Sequence, residues 1–128
     1  MFKRLVMSEK KLTLVLGAST KEDRYSYQAL LLLQKHQHPV IAVGNREGIV
    51  GEASIVRSIP VHEPVDTLTM YLSARNQKGY YKDILKLHPK RVIFNPGAEN
   101  PDFEKVLNEN GISTENACTL VLLSVGNY

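Results

Sequence analysis

The sequence predicts an α/β fold in which helices cover both faces of a doubly wound, parallel sheet of five strands. Short apolar runs alternate along the chain with segments of helical periodicity. The runs do not alternate between apolar and polar residues as half-exposed strands do, and continuous apolar runs are typical of parallel strands buried on both faces. The five runs are residues 12–16, 40–43, 68–72, 91–95 and 112–117.

Two helices are predicted between the first and the fourth run. The first begins near Ser26, whose hydroxyl can cap it, and ends before Pro39, because proline cannot continue a helix. The second covers residues 75–87, where apolar side chains recur at helical spacing and Gly79 weakens the helix locally.

The third helix has the clearest predicted boundaries in the chain. Asn100 is a good N-cap, Pro101 fits the first helical position, and Gly111 terminates the helix. The final apolar stretch, residues 119–125, is too short for periodicity to separate a strand from a buried helix. We favour a helix for it.

Right-handed crossovers between the strands give a Rossmann-like sheet with the predicted strand order 3-2-1-4-5. Residues 44–65, with three glycines and two prolines, are predicted to be a loop with at most a small strand at residues 55 and 56. We expect residues 1–128 to form a single domain with one core. Such sheets bind ligands beyond the carboxyl ends of their strands, and in this order the loop after the fourth strand neighbours the loop after the first.

Composition and charge exclude several classes of protein. Sixteen lysines and arginines against thirteen aspartates and glutamates give a net charge of +3, which is too mild for a nucleic-acid-binding protein. Residues 1–7 lack the apolar core of a secretory signal, and no apolar run approaches the ~18 residues of a membrane span, so neither export nor membrane insertion is expected. The single cysteine, Cys118, agrees with a reducing compartment, and we expect a cytoplasmic protein.

Few residues suit catalysis or metal binding. The four histidines are scattered and lack the number and spacing of metal ligands. No serine stands in a GxSxG sequence, and no Cys-His-Asp arrangement can be nominated from position. The carboxylates Glu22, Asp23 and Glu99 could act as an acid or base, or only shape their loops. We therefore name no catalytic residue and expect no metal.

The loop after the first strand combines a glycine turn with hydroxyls and cations just before a helix. Exposed backbone N–H groups at a helix N-terminus, with side-chain donors nearby, form an anion site that suits a diphosphate. Only the first glycine of a GxGxxG motif is present, so a simple glycine turn with a capping serine is an alternative. The candidate residues are Gly17, Ala18, Ser19, Thr20, Arg24 and Ser26.

The loop after the second strand indicates which nucleotide the site would take. NAD sites place an acidic residue there, which accepts hydrogen bonds from the ribose 2′-hydroxyl. This chain has Val43, Gly44, Asn45 and Arg46 instead. A cation in this place favours a ligand with a phosphate on its ribose, NADP or coenzyme A, although a merely solvated Arg46 is an alternative.

The loop after the fourth strand holds two prolines around a glycine and leads into the third helix. Asn95, Pro96, Gly97 and Glu99 could line the pocket. The same residues are also those needed to end a strand and begin a helix, and the sequence does not separate the two roles.

Three parts of the chain resemble a known protein family. They are the Gly-Ala-Ser turn at 17–19 with residues 24–27, the Asn-Pro-Gly-Ala-Glu-Asn-Pro turn at 95–101, and residues 117–121 with Gly126 and Tyr128. Here the chain is similar to the small stand-alone CoA-binding proteins, which are themselves similar to the N-terminal nucleotide-binding domain of the succinyl-CoA synthetase alpha subunit. The resemblance extends from residue 12 to residue 128, and the proline turn is its most specific part.

The resemblance implies a site for coenzyme A or an acyl-CoA. In it Gly17, Ser19 and Thr20 hold the diphosphate, Arg24 assists at the phosphates, and Arg46 approaches the ribose 3′-phosphate. Further residues border the adenine and the start of the pantetheine arm: Val43, Asn45, Tyr71, Leu72 and Ser73. The second domain of the synthetase, with its phosphorylated histidine, has no counterpart in the sequence, so ligase chemistry is not expected.

Cys118 could form a mixed disulfide with the thiol of coenzyme A, but without a basic neighbour in the sequence a buried, inert cysteine is the better interpretation. The sequence thus predicts a non-catalytic module that binds a small nucleotide and acts through a homodimer contact or an unidentified protein partner. Two alternatives stay open. One is a minimal NADP-dependent oxidoreductase, and the other is the CoA-binding subunit of a split acyl-CoA ligase.

Overall fold

The computed structural model describes residues 9–128; residues 1–8, which include the segment expected to lack a signal, lie outside the described part. Its strands are β1 Thr13–Leu16, β2 Val40–Val43, β3 Gly48–Val50, β4 Ala53–Val56, β5 Thr67–Met70, β6 Arg91–Phe94 and β7 Ser113–Asn116. Its helices are α1 Tyr25–Lys35, α2 Ala74–Gln77, α3 Tyr81–Leu87, α4 Pro101–Glu109 and α5 Thr119–Ser124. A short 3₁₀ helix, Lys78–Tyr80, joins α2 to α3.

All of these strands belong to one sheet, with the order β3-β4-β2-β1-β5-β6-β7. β3 pairs antiparallel with β4, and every other pair is parallel. The α/β class and the largely parallel sheet are confirmed, but the five-stranded sheet with order 3-2-1-4-5 is wrong. Counting only the parallel strands gives the order 3-2-1-4-5-6, which is typical of dinucleotide-binding folds.

The difference arises in residues 44–65, which contain a short hairpin of β3 and β4 with Gly51 in its turn. The small strand allowed at residues 55 and 56 is confirmed as the end of β4. β4 takes the place beside β2, with Ile55 opposite Ala42. The apolar run at 68–72 therefore lies on the other side of β1, as its partner. β3 has only three residues, and β4 alternates between buried and exposed side chains, as strands near a sheet edge do, so neither forms the continuous apolar run that marks β1, β2, β5 and β6.

The two helices predicted first differ from expectation in detail. The predicted cap at Ser26 is wrong, because α1 begins at Tyr25 and Ser26 lies buried within its first turn. Arg24 holds the N-cap position without a side-chain cap. The helix predicted over 75–87 is interrupted by the 3₁₀ turn that contains Gly79, where a local weakness is expected.

The C-terminal helices match their predictions closely. Asn100 is the N-cap of α4, and its side-chain oxygen accepts a hydrogen bond from the Phe103 N–H at 3.1 Å. Pro101 is the first helical residue, and Gly111 follows the helix with φ of +79°. The ambiguous stretch at 119–125 forms α5. No helix within residues 9–128 has the length and apolar character needed to cross a membrane.

Each face of the sheet carries its own hydrophobic core, as a doubly wound fold requires, so the expectation of one core is wrong. On one face, Leu14 of β1 belongs to the same buried cluster as Phe103 of α4. On the other face, Val15 belongs to the cluster that contains Leu30 of α1 and Leu123 of α5. Successive residues of β1 thus point to opposite cores, which is why its apolar run does not alternate with polar residues.

Candidate functional site

The loops that follow the parallel strands meet at one end of the sheet, here called the carboxyl edge; the opposite end is the amino edge. The first of them, residues 17–24, is fixed to the end of β2, because the N–H groups of Gly17 and Ala18 both donate to the carbonyl oxygen of Val43 at 2.9 Å. Gly17 has φ of +98°, and a Cβ there would stand 3.2 Å from the Cβ of Tyr71. The turn therefore requires glycine.

The loop after β2 presses against the first loop at Gly44. A Cβ on Gly44 would overlap the carbonyl oxygen of Ala18, so any side chain there would displace the first loop. The Gly44 N–H donates to the carbonyl oxygen of Val56, the last residue of β4, at 2.9 Å. The ends of β1, β2 and β4 thus carry one continuous surface.

Ser19 and Thr20, the two hydroxyl residues of the first loop, have different surroundings. The Ser19 hydroxyl oxygen accepts a hydrogen bond from the Lys21 N–H at 3.1 Å. Thr20 is exposed, and its Cγ2 atom would lie only 2.5 Å from a Cβ placed on Gly48. Gly48 is the first residue of β3, so the first loop reaches the hairpin close to Arg46.

The remaining residues predicted around these loops are placed in three ways. Val43 has a fully buried side chain, so only its main chain lies at the carboxyl edge. Ser26 is buried in the first turn of α1. Asn45 is exposed beside Arg46.

The loop after β5 lies between the first loop and the loop after β6, because β5 separates β1 from β6. The expectation that the loops after the first and fourth predicted strands are neighbours is therefore wrong. Tyr71 and Leu72 are half-buried next to Gly17, whereas Ser73 is exposed and precedes α2. These residues stand closer to the glycine turn than the predicted strand order would place them.

Asn95, just after β6, is 2% exposed and uses its side chain inside the protein. Its amide nitrogen donates to the Thr69 hydroxyl at 2.7 Å and to the Met70 carbonyl oxygen at 2.9 Å. Its amide oxygen accepts from the Thr119 N–H at 2.9 Å. The side chain therefore joins the ends of β5 and β6 to the start of α5, which is a positioning role.

The rest of the loop after β6 faces solvent. Pro96, Gly97 and Glu99 are exposed, and Gly97 has φ of +94°. The Gly97 N–H donates to a carboxylate oxygen of Glu99 at 2.9 Å, so this carboxylate shapes its own turn. The turn stands at the carboxyl edge, on the far side of the β5 loop from Gly17.

A second buried network, which the sequence analysis missed, ties the loops after β5 and β6 together. Gln77 is fully buried, and its amide nitrogen donates to the carbonyl oxygens of Leu72 and Ala98 at 2.9 and 2.8 Å. Asn100 donates to the Gln77 side-chain oxygen at 2.9 Å and to the Tyr81 hydroxyl at 2.8 Å. No local pattern marks Gln77, because two of its partners, Ala98 and Asn100, lie 21 and 23 residues further along the chain.

The hydroxyl of Tyr71 is buried at the carboxyl edge and has no hydrogen-bond partner in residues 9–128. Burial raises the pKa of Tyr71 to about 12; the nearby Thr69 and Thr119 hydroxyls act in the opposite direction, but they bond to each other at 2.8 Å. The phenol is therefore neutral near pH 7 and keeps a proton to donate. Cys118, half-buried, precedes α5 and adds a small further rise to the same pKa.

Several cations stand at the carboxyl edge without hydrogen-bond or ion-pair partners among residues 9–128. Lys21, Arg24 and Arg46 are exposed, and within the described part of the chain their side chains make neither hydrogen bonds nor ion pairs. Arg57, which directly follows β4, is exposed at the same edge. Sequence reasoning missed Arg57 because it lies in the segment interpreted as a loop; a cation just after a short apolar strand was the available signal.

Two clefts, of about 640 and 450 Å³, open at the amino edge and contain none of the predicted site residues. The larger lies between the end of α1 and the β3–β4 turn, and the smaller lies beside Tyr128. Among residues 9–128, no three histidine, cysteine or carboxylate side chains are grouped to hold a metal ion.

Comparison with known proteins gives a family and a set of related folds. A family model described as a CoA binding domain matches residues 11–124. A crystal structure of an uncharacterized protein is 47% identical, with a TM-score of 0.91 over 94% of this chain and 100% of that chain. The cell-free ID.343 protein of Thermus thermophilus is 25% identical, with a TM-score of 0.82 over 93% of this chain and 91% of that one.

A more distant likeness is limited to the fold. The dinucleotide forming acetyl-coenzyme A synthetase 1 of Ca. Korarchaeum cryptofilum, in its apo form, is 16% identical with a TM-score of 0.66. That match covers 81% of this chain but 25% of the synthetase chain. No curated protein matches the sequence.

Proposed function

Because the chain belongs to the CoA binding domain family, we propose that it binds coenzyme A, free or acylated, at the carboxyl edge. The observation that carries this assignment is the contact of the first two loops at Gly44, which sets a turn of N–H and hydroxyl donors beside Arg46. A diphosphate and a ribose phosphate of one nucleotide are anions at a short distance from each other, and this surface offers donors and cations for both.

The turn at residues 17–20 suits the diphosphate. The N–H groups of Ser19 and Thr20 make no hydrogen bond among the described residues, so both can donate to phosphate oxygens. α1 begins at Tyr25, and the positive end of its dipole favours an anion in front of it. Arg24, at the N-cap, adds a full positive charge, and Arg46 would approach the ribose 3′-phosphate.

The loop after β5 would border the rest of the nucleotide. Tyr71, Leu72 and Ser73 lie between the glycine turn and the loop after β6, where the pantetheine arm would leave the diphosphate. The neutral Tyr71 hydroxyl offers a donor that no protein group in residues 9–128 uses. Asn95 would support this region rather than touch the ligand, because its amide is engaged by the protein.

We propose no catalysis by this chain alone and a cytoplasmic location, with occupancy of the site read by a second copy or by another protein. One observation favours a second role, as the CoA-binding subunit of a split acyl-CoA ligase. The part of an acetyl-coenzyme A synthetase that shares the fold of this chain is 25% of the synthetase, so a ligase of that kind contains much more than this domain. The resemblance to the succinyl-CoA synthetase alpha subunit supports the same second role.

Calorimetric titration with coenzyme A, dephospho-coenzyme A and NADP tests the main assignment. We expect coenzyme A to bind at least about tenfold more tightly than its dephospho form, since a charge-assisted contact to a phosphate contributes about 1.5–3 kcal/mol. Preference for NADP would instead support a minimal oxidoreductase, and absence of all three binding events would refute the assignment.

A charge placed in the turn locates the site in the same titration. Ser19→Asp sets a carboxylate where the diphosphate would lie, and we expect it to weaken coenzyme A binding by about tenfold or more. Ser124→Asp adds the same charge to an exposed residue at the end of α5, away from the carboxyl edge, and should leave binding nearly unchanged. Equal losses in the two variants would place the nucleotide elsewhere.

A further inference from the structure

The path of the chain brings two arginines together above β4. β4 lies between β2 and β3 in the sheet, so residues 44–47, which connect β2 to β3, must cross the carboxyl end of β4. The hydrogen bond from the Gly44 N–H to the Val56 carbonyl oxygen, at 2.9 Å, holds the start of this crossing against the last residue of β4. Arg46 lies in this crossing segment, and Arg57 directly follows β4, beneath the segment.

Strand register gives the same placement from two sides. β2 and β4 are parallel with Val43 opposite Val56, so Arg57 comes beside Gly44. β3 and β4 are antiparallel with Gly48 opposite Ile55, and continuing that register by two residues sets Arg46 opposite Arg57. The first pairing thus places Arg57 at the start of the crossing, and the second, extended past the start of β3, places Arg46 near it.

Within residues 9–128, no ion pair neutralises either arginine of this arrangement. Both arginines are exposed, and neither lies within ion-pair distance of a carboxylate in the part of the chain that the structure describes. Glu47, between them in the crossing, is exposed and also makes no ion pair there. Like charges that lie close together repel each other, so the pair does not stabilise the fold and suits an external anion.

The chemistry of two guanidinium groups selects the kind of anion. Each can offer two parallel N–H donors to neighbouring oxygens, and a phosphomonoester has three terminal oxygens and close to two negative charges at pH 7. The Thr20 side chain, in the turn assigned to the diphosphate, contacts Gly48 two residues beyond Arg46. An anion bound between the two arginines would therefore lie within reach of a ligand that also occupies the first loop.

We propose that Arg57 and Arg46 together form a clamp for a phosphomonoester of the bound nucleotide, and that Arg57 is a specificity-determining residue of the site. This rests on the proposed function, because it assumes a ligand whose diphosphate lies at residues 17–20. Arg46 reaches the phosphate from the crossing, and Arg57 reaches it from the end of β4.

Titrations of the Arg57→Gln variant with coenzyme A and dephospho-coenzyme A test the clamp. We expect the ratio of the two dissociation constants to fall about five- to tenfold, with the affinity for dephospho-coenzyme A nearly unchanged. Arg57→Lys should keep part of the ratio, because it keeps the charge but not the paired donors. The control Lys35→Gln removes an exposed cation at the amino edge and should alter neither constant.

The outcomes separate the clamp from the proposed function. If coenzyme A binds and the ratio does not depend on Arg57, or if Arg57→Gln weakens both ligands equally, the clamp is refuted and coenzyme A binding stands. Adenosine 3′,5′-bisphosphate and AMP, titrated in parallel, carry the same phosphate contrast without a pantetheine arm. An Arg57-dependent preference for the bisphosphate without coenzyme A binding supports the clamp and refutes the function; no binding of any of the four ligands refutes both.

Discussion

The two ends of the sheet use their cationic side chains in opposite ways. At the amino edge, Lys11 donates to the main-chain oxygen of Tyr128 at 2.7 Å, and Arg91 bonds the Thr67 hydroxyl at 2.8 Å and pairs with Glu115 at 3.3 Å. At the carboxyl edge, the arginines at positions 24, 46 and 57 make no such contacts within residues 9–128.

Tyr128 is the centre of the amino-edge arrangement. Its hydroxyl and that of Thr13 share a hydrogen bond of 2.6 Å, and the Arg91 guanidinium stands 4.7 Å from the ring centre. The His38 ring meets it edge-on, with centroids 4.9 Å apart. Burial raises the pKa of the Tyr128 phenol, so the ring stays neutral and can receive the cation.

This difference makes the carboxyl edge the place to look for a ligand. Both clefts described above lie at the amino edge, yet Lys11 and Arg91 there already hold the C-terminal residues against the sheet. At the carboxyl edge, by contrast, cations make no hydrogen bond or ion pair within residues 9–128, and the buried side chains of Asn95 and Gln77 hold the loops after β5 and β6 in place. Cleft volume alone would direct the search to the amino edge instead.

The largest effect should come from removing the centre of the amino edge. Tyr128→Ala is expected to lower the free energy of unfolding by about 2–4 kcal/mol, because a mostly buried ring and a hydroxyl bond are lost. Urea denaturation measures this, with Tyr25→Ala as the control, since Tyr25 is 65% exposed and should change stability by no more than about 0.5 kcal/mol. An equal loss of unfolding free energy in the two variants would show that Tyr128 has no special structural role.

A smaller effect should separate the cations of the two edges directly. Arg91→Met removes two hydrogen bonds and the contact with the Tyr128 ring, and should lower the free energy of unfolding by about 1–2 kcal/mol. The loss is limited because one Arg91 nitrogen is buried without a partner in the described structure. Arg46→Met should stay within about 0.5 kcal/mol of the unmodified protein, and a larger loss there would break the contrast between the edges.

The smallest effect concerns acid stability. His38 is 8% exposed, and its Nδ1 atom accepts from the Lys11 N–H at 3.0 Å. Burial lowers its pKa below 6.5, and the positive charges of Lys10, Lys11, His36 and Arg91 lower it further. The unfolded chain therefore binds this proton more readily than the folded chain does. The contribution of His38 to the free energy of unfolding is fully present above about pH 6.5 and is lost as the pH falls from there towards the pKa of the folded state.

His38→Asn should flatten that decline, because asparagine keeps an acceptor near the Lys11 N–H and does not titrate. Denaturation midpoints between neutral pH and mildly acidic pH measure it, with the exposed His62→Asn as the control. A variant that retains the full acid decline, or a control that removes it equally, would assign the effect to other groups.

Parts of the candidate site could be predicted because their signals are local. The glycine turn at 17–20, the cation at Arg46 and the proline turn at 95–101 are short stretches of sequence, and the structure brings the first two into one surface. Arg57 joins them only through the pairing of β4 between β2 and β3. Asn95 was a candidate ligand contact by sequence, whereas its position in the fold shows an amide engaged by Thr69, Met70 and Thr119.

The sequence by itself determined where β1, β2, β5 and β6 lie and where α4 begins and ends, because hydrophobic runs and end caps act over a few neighbouring residues. The run at 112–117 does form a strand, β7, but its side chains are exposed or half-buried rather than buried. Only the tertiary structure decided that the run at 68–72 pairs with β1, that a hairpin occupies 48–56, and that Ser26 does not cap α1. A parallel strand chooses its neighbour through contacts between residues far apart in the chain, and nothing within an apolar run of four residues specifies that partner.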